Sequence, residues 1–324
     1  MKNIVVIGAG QLGSRHLQAL ALCTFPVTLH VVDPNKESLE TAKERFEEIK
    51  PNKNIREVKY YLSLDSLDSE IDFCVIATGA NARLTVLQAL AERVKVKYLL
   101  LEKVLFQTIA DYHHARKILE KHEITAWVNC PRRMYSIYQE LKMLLDFDST
   151  ISCSVAGGEW GLGCNAIHFL DLMTFLTDSI VTRIDNSEID KILHESKRLG
   201  FVEFTGCLRA LFENSSELEL VSTFKSEDPL KVLIETDTFE VVVLESEGKA
   251  TVENKMTGNV KDMTFELPYQ SSLTNLIAED ILFKQECQLT TFDESVKLHM
   301  PLIESLLAHV NQVTGESDNL LKIT

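Results

Sequence analysis

A doubly wound parallel α/β domain (a Rossmann fold), followed by an α+β domain with a largely antiparallel open sheet, is the fold that the sequence predicts. Three observations predict it. The first is an apolar strand, Ile4-Val5-Val6-Ile7, running straight into Gly8-x-Gly10-x-x-Gly13 and then a helical pattern of Leu12, Leu17, Ala19, Leu20 and Leu22. The second is the alternation that follows, in which strand-length apolar runs and amphipathic helices take turns as far as residue 128. The third is the change beyond it, where strand runs succeed one another with few helices between them. With 324 residues, 45% of them hydrophobic, the chain can bury two cores, and the domains are expected at 1–128 and 129–324.

Each glycine of the opening has a mechanical task if strand, turn and helix meet there. Gly8 permits the tight turn, Gly10 lets a pyrophosphate approach the backbone, and Gly13 lets helix and strand pack closely. Gln11 and Leu12 stand at the helix start, where unpaired N–H groups face an anion. The second strand, Val27–Val32, ends in Asp33, about 20 residues beyond Gly13, where a carboxylate accepts hydrogen bonds from an adenosine ribose. At ~4 Å and an effective dielectric near 20, the same carboxylate repels a 2′-phosphate by roughly 4 kcal/mol per charge pair. The cofactor expected is therefore NAD, with NADP disfavoured although Lys36 stands nearby.

Residues 36–49 then read as a helix with an apolar stripe of Leu39, Ala42, Phe46 and Ile49, stopped by Pro51-Asn52. A third strand is expected over 58–62 and a fourth over 72–77. Thr78-Gly79-Ala80-Asn81 turns into a helix reaching Ala91. The fifth strand, 98–101, ends in Glu102-Lys103, and a helix over 108–121 leads to a sixth strand over 124–128. Ligands of such sheets sit beyond the carboxyl ends of the strands. The glycine loop, Asp33, Thr78, Gly79, Asn81, Glu102 and Lys103 all fall at that edge.

In the second domain a helix runs from Tyr135 through Leu145, a strand over 151–156, a glycine-rich loop over 157–163 and an apolar helix over 164–176. Strand runs follow at 201–204, 210–212, 218–223, 231–236, 240–244 and 263–267, and helices over 271–286 and 293–313 close the chain.

A formal charge of −15 opposes adhesion to nucleic acid or an anionic membrane, so neither is an expected partner. Seven dispersed cysteines without a CxxC pair point to reduced thiols and a cytoplasmic location. No Cys/His spacing suits zinc, so no metal is expected. With a strand at its opening the chain is expected to carry no signal peptide, and no apolar run is long enough to span a bilayer.

Four pieces in this order and spacing resemble the glucose–fructose oxidoreductase/inositol dehydrogenase (Gfo/Idh/MocA) family: Gly8-x-Gly10-x-x-Gly13-x-x-His16, Glu102-Lys103, Asn129-x-x-Arg132-Arg133 and His168-x-x-Asp171. The resemblance implies NAD or NADP bound by the first domain and hydride exchange with a hydroxyl or keto carbon. The substrate it implies is a sugar, an inositol or a nucleotide sugar, and the assembly a homodimer or homotetramer. Trp160-Gly161-Leu162-Gly163-Cys164-Asn165 resembles the variant in enzymes of bacterial surface-sugar pathways. Two residues depart from the pattern. Val104 follows Glu102-Lys103 where the family has proline, and since a cis bond before valine costs about 2.5–4 kcal/mol, a trans bond is expected. Cys164 stands where the family often has aspartate, which removes one acid/base candidate.

Lys103 at a strand end can polarise a carbonyl or stabilise an alkoxide, although lysines there are also ordinary solvated residues. His168 in an apolar helix reads alone as a core histidine. Asp171, three residues on, shares its face and can set the imidazole tautomer for general acid/base work. Arg133, Trp160 and Asn165 join Lys103 and His168 as candidate substrate contacts; for Arg133 and Trp160, ordinary surface or packing roles are the alternative. Cys164 at a helix start permits a different chemistry, an acylating aldehyde dehydrogenase with a cysteine nucleophile, against a plain packing role. A catalytically silent NAD-binding regulator is the reading from another class.

Overall fold

The computed structural model describes residues 1–67, 70–145 and 150–324. It divides into two compact units, one of Met1–Phe106, Ala110–Asn129 and Pro268–Phe292, the other of Gln107–Ile109, Cys130–Leu267 and Asp293–Thr324.

The first unit opens with β1 (Lys2–Ile7), α1 (Gln11–Leu20), β2 (Val27–Val32) and α2 (Lys36–Glu47). Next come β3 (Ile55–Tyr61), β4 (Glu70–Ile76), α3 (Ala80–Arg93), β5 (Lys95–Leu101), α4 (Ile109–Lys121) and β6 (Thr125–Val128). The strands pair in parallel in the order β3-β2-β1-β4-β5-β6. All six residues of β2 are buried, as befits a sheet covered on both faces. The order reverses between β1 and β4, which opens the crevice that such sheets use. Register aligns the strand ends: Ile7 lies opposite Val32 and Ile76, and Ile76 opposite Leu101. The residues that follow them therefore emerge along one edge.

The second unit contains α5 (Ser136–Leu144), β7 (Ser152–Gly157), α6 (Leu162–Thr177), β8 (Val181–Ile189) and the short pair β9 (His194–Glu195) and β10 (Val202–Glu203). It continues with β11 (Gly206–Phe212), β12 (Glu217–Ser222), β13 (Lys231–Glu235), β14 (Phe239–Leu244), β15 (Lys249–Asn254) and β16 (Asn259–Thr264). An eight-stranded sheet runs β16-β15-β14-β13-β7-β12-β11-β8, antiparallel throughout except where β7 lies parallel to β12. Burial alternates along β7, with Cys153, Val155 and Gly157 inside, so one face carries the core. Helices α7 (Thr274–Lys284) and α8 (Phe292–Thr314) end the chain, and no described helix is long and apolar enough to cross a membrane.

Three features differ from the linear reading. Residues 268–292 cluster with the first unit, although the sequence assigns them to the second domain. Tertiary contacts decide this: Phe283 meets Phe25 edge-on at 5.0 Å, and the Thr290 carbonyl accepts the Val128 N–H at 3.0 Å. Periodicity finds a helix without saying which core it joins. Second, β8 and β15 carry no apolar run that would mark them as strands, because polar residues fill one or both of their faces. Third, the strand expected over 263–267 is Asn259–Thr264, a mostly exposed edge whose register is set by pairing with β15.

Candidate active site

Each glycine of the opening loop meets different surroundings. Gly8 sits at φ +91°, where a Cβ would come within 3.0 Å of the Ala77 and Thr78 backbone. At Gly13 a Cβ would fall 1.6 Å from the Gly8 carbonyl oxygen, so only glycine lets α1 approach so closely. Around Gly10 a Cβ would meet nothing within 4 Å, which leaves the space in front of the loop open. Helices α1 and α3 start at Gly10 and Gly79 without a side-chain cap and without an acid in the first turn. The positive ends of both helix dipoles thus lie at this edge. Exposed Gln11 is held by Arg45 Nη2 at 2.8 Å, while Arg45 Nη1 donates to Ser14 Oγ at 2.6 Å. Half-buried Leu12 and exposed Asn81 occupy the first turns of the two helices.

Asp33 lies beside the loop. One carboxylate oxygen accepts the Ala9 N–H at 2.7 Å and the other the Asn35 N–H at 2.8 Å. Each oxygen keeps a second lone pair for a hydroxyl donor, so the contacts orient Asp33 without using it up.

Glu102 is buried at the end of β5, and its Oε1 meets His16 Nε2 at 2.8 Å and Asn129 Nδ2 at 2.6 Å. Burial alone would raise its pKa. The hydrogen bonds from His16 and the Asn129 amide and the charge of neighbouring Lys103 outweigh that effect and hold the carboxyl below its usual range. Lys103 follows, half-buried. The Lys103–Val104 peptide bond is cis, which corrects the expectation of trans. Buried Arg83 surrounds this turn with donors to the Val104 and Leu105 carbonyls and also to Thr78, so local packing overrides the intrinsic trans preference. Arg45 and Arg83 brace these turns, and sequence reasoning missed them because both look like ordinary helical arginines.

The second unit gathers the other candidates on and around α6. Gly161, at φ +80°, ends the glycine-rich loop, and Asn165 Nδ2 donates back to the Trp160 carbonyl at 2.8 Å. The Trp160 indole N–H donates to the Val221 carbonyl at 2.8 Å, and its ring meets Phe169 edge-on at 5.6 Å. Those contacts anchor the loop on the sheet. The Glu203 carboxylate takes the Gly163 N–H at 2.8 Å and the Cys164 N–H at 3.3 Å. The helix-terminal donors that could stabilise a Cys164 thiolate are thus already given to an anion. His168 is half-buried on α6, and Asp171 is buried one turn on, its Oδ2 accepting from Arg133 Nε at 2.7 Å. Arg132 makes a bidentate pair with Glu245, at 2.9 and 2.8 Å, and lies over the Phe169 ring.

Comparison with known proteins extends the geometry. Residues 2–130 match the model of an oxidoreductase family described by its NAD-binding Rossmann fold, GFO_IDH_MocA. No curated protein matches the chain by sequence. Among solved structures, an oxidoreductase from Agrobacterium radiobacter, in complex with NAD+, L-tartaric acid and magnesium, superposes with a TM-score of 0.73 at 15% identity, over 96% of this chain and 97% of that one. UDP-N-acetylglucosamine 3-dehydrogenase from Acidithiobacillus ferrooxidans gives 0.72 at 14% identity, over 96% and 99%. A super-repressor mutant of Gal80p from Saccharomyces cerevisiae gives 0.69 at 17% identity, over 98% and 97%. At these identities the likeness is one of fold.

Proposed function

We propose, from the premise that residues 2–130 belong to the Gfo/Idh/MocA family of NAD-binding Rossmann oxidoreductases, that the chain is an NAD-dependent oxidoreductase of sugars or nucleotide sugars. The observation that carries this reading is the convergence of the glycine loop, Asp33, Thr78–Asn81 and Glu102-Lys103 on one sheet edge. The open space at Gly10 and the start of α1 fit a pyrophosphate, and Asp33 fits an adenosine ribose without a 2′-phosphate.

When bound, the nicotinamide supplies or accepts a hydride. Lys103 presents a cation to the substrate oxygen, where charge develops as an alkoxide forms or a carbonyl is attacked. His168 moves the hydroxyl proton, and Asp171, anchored by Arg133, shares its helical face and orients it. Asn165, Trp160 and Arg133 frame the substrate side, and the assembly is a homodimer or homotetramer in the cytoplasm. A nucleotide sugar and a role in surface polysaccharide synthesis are the specific form of the proposal, in line with the dehydrogenase of similar fold that acts on UDP-N-acetylglucosamine. The Gal80p likeness supports a second reading, an NAD-binding regulator without turnover.

A screen of aldoses, inositols and nucleotide sugars, followed at the nicotinamide absorbance band, separates the two. Turnover that falls by about 10²–10⁴-fold in His168→Ala and drops in Lys103→Met, with NADH affinity kept, is expected. Full activity in both variants refutes the roles assigned here, and NAD binding without turnover of any compound favours the regulator.

A further inference from the structure

His16 follows the glycine loop by one turn of α1 and is fully buried. Its Nε2 faces Glu102, and its Nδ1 faces Thr274 Oγ1 at 2.8 Å, from a residue 258 positions downstream. Gln270 Nε2 lies 2.9 Å from the same Thr274 oxygen. Gln270 Oε1 accepts from Asn129 Nδ2 at 2.8 Å, and Asn129 Nδ2 also donates to Glu102. Five side chains from α1, the ends of β5 and β6 and the returning segment 270–274 thus close a ring inside the first unit.

The proton directions around this ring follow from one charge. An ionised Glu102 carboxylate only accepts. Asn129 must therefore turn its NH2 group toward Glu102, since the flipped amide would set oxygen against oxygen. Its second N–H then goes to Gln270 Oε1, because a flipped Gln270 would bring two NH2 groups face to face. That orientation leaves Gln270 Nε2 to donate to Thr274 Oγ1 and, at 3.3 Å, to His16 Nδ1. Fully buried Thr274 has a single hydroxyl proton and, among the described residues, no other acceptor than His16 Nδ1. His16 Nδ1 is then a bare acceptor, and the proton sits on Nε2, pointing at Glu102. Every donor of the chain is used in one sense.

We propose that Gln270 and Thr274 are positioning residues: they set the Nε2–H tautomer of His16 and so fix Glu102, and with it the backbone that carries Lys103. The ring also ties the start of α1, where the pyrophosphate is expected, to the end of β5. This inference rests on the role given to Lys103 above, yet its test needs no substrate.

Long-range ¹H–¹⁵N histidine spectra of the full-length labelled protein, assigned by the signal lost in His16→Gln, read the tautomer directly. The expected signature is a protonated Nε2 and an unprotonated Nδ1. Hydrogen exchange followed by mass spectrometry is expected to quicken about tenfold at the peptide over 99–106 in Thr274→Val and Gln270→Met, the effect of one lost hydrogen bond of ordinary strength. Exchange in β2 stays unchanged, and Thr274→Ser restores the wild-type rate and spectrum. Should Thr274→Val fail to fold, half-buried Gln270 supplies the same measurement. A proton on His16 Nδ1, or on both nitrogens, overturns the ring. Unaltered exchange around Lys103 in Gln270→Met overturns the positioning role, whatever the outcome of the substrate screen.

Discussion

Alanine at residue 13 and alanine at residue 10 separate what the glycine loop does for the fold from what it does for the cofactor. At residue 13 the new methyl would lie 1.6 Å from the Gly8 carbonyl oxygen, whereas carbon and oxygen ordinarily stay about 3.3 Å apart. Both atoms are held by backbone, so α1 must shift bodily or β1 must release its turn. Overpacking a well-filled site typically costs about 1–3 kcal/mol, and a clash between two backbones belongs at the upper end. At roughly 2–4 °C per kcal/mol for a unit of this size, the Tm of Gly13→Ala should fall by roughly 6–12 °C. At residue 10 a methyl meets no protein atom within 4 Å. Gly10→Ala loses only the small advantage of glycine at a helix N-cap, about 1 kcal/mol at most, so its Tm should stay within about 4 °C. Its Cβ would nevertheless fill space that the pyrophosphate needs, and NADH affinity should drop at least about tenfold. Differential scanning calorimetry and isothermal titration with NADH measure both quantities on the same samples. A wild-type Tm for Gly13→Ala, or a wild-type Kd for Gly10→Ala, would refute the division of labour.

Asp33→Ala should narrow the preference for NADH over NADPH, read by parallel titrations; an unmodified protein that prefers NADPH would sink the ribose assignment. Glu102 carries a folded-state pKa below its unfolded value, so its contribution to stability is present above about pH 4.3 and is lost as pH falls through the lower folded value. Urea unfolding between pH 6 and 3 should therefore show a steeper acid loss in the unmodified protein than in Glu102→Gln. Cys164→Ser should keep most turnover with no thioester formed, since Glu203 already occupies the helix-terminal donors. A covalent acyl adduct on Cys164, trapped by mass spectrometry, would promote the aldehyde dehydrogenase alternative instead.

Features coded by short spacing are legible in the sequence itself. The Gly8-x-Gly10-x-x-Gly13 turn is local, so its tasks follow from bond geometry, and the carboxyl-edge placement of Asp33 and Glu102 follows from strand ends that parallel pairing must align. The helices and most strands are legible for the same reason. Pairings at long range are not. Arg83 reads as a helical arginine, yet its side chain is buried against the carbonyls beyond Lys103. Nothing near Val104 in the sequence encodes that contact, and the intrinsic preference of a valine peptide points the other way. β8 lacks the alternation of a half-buried strand because an edge strand need not carry it.

Asp171 shows the same division within one side chain. Its spacing from His168 places both on one face of α6, which is as much as helical period can say. Arg133, from a turn outside that helix, takes Oδ2 at 2.7 Å, and with only 12% and 1% of the two side chains exposed the pair is largely desolvated. Removing one member of such a pair leaves a buried charge uncompensated, at a cost of about 3–5 kcal/mol. Arg133 therefore cannot be judged as a substrate contact from loss of activity alone, because Arg133→Ala also unbalances Asp171. The informative change is Arg133→Lys, which keeps the charge and gives up the planar fork. If Arg133 only anchors Asp171, Arg133→Lys should lower thermal stability and leave KM close to wild type. If it also grips an anionic substrate group, KM should rise beyond what the stability loss accounts for.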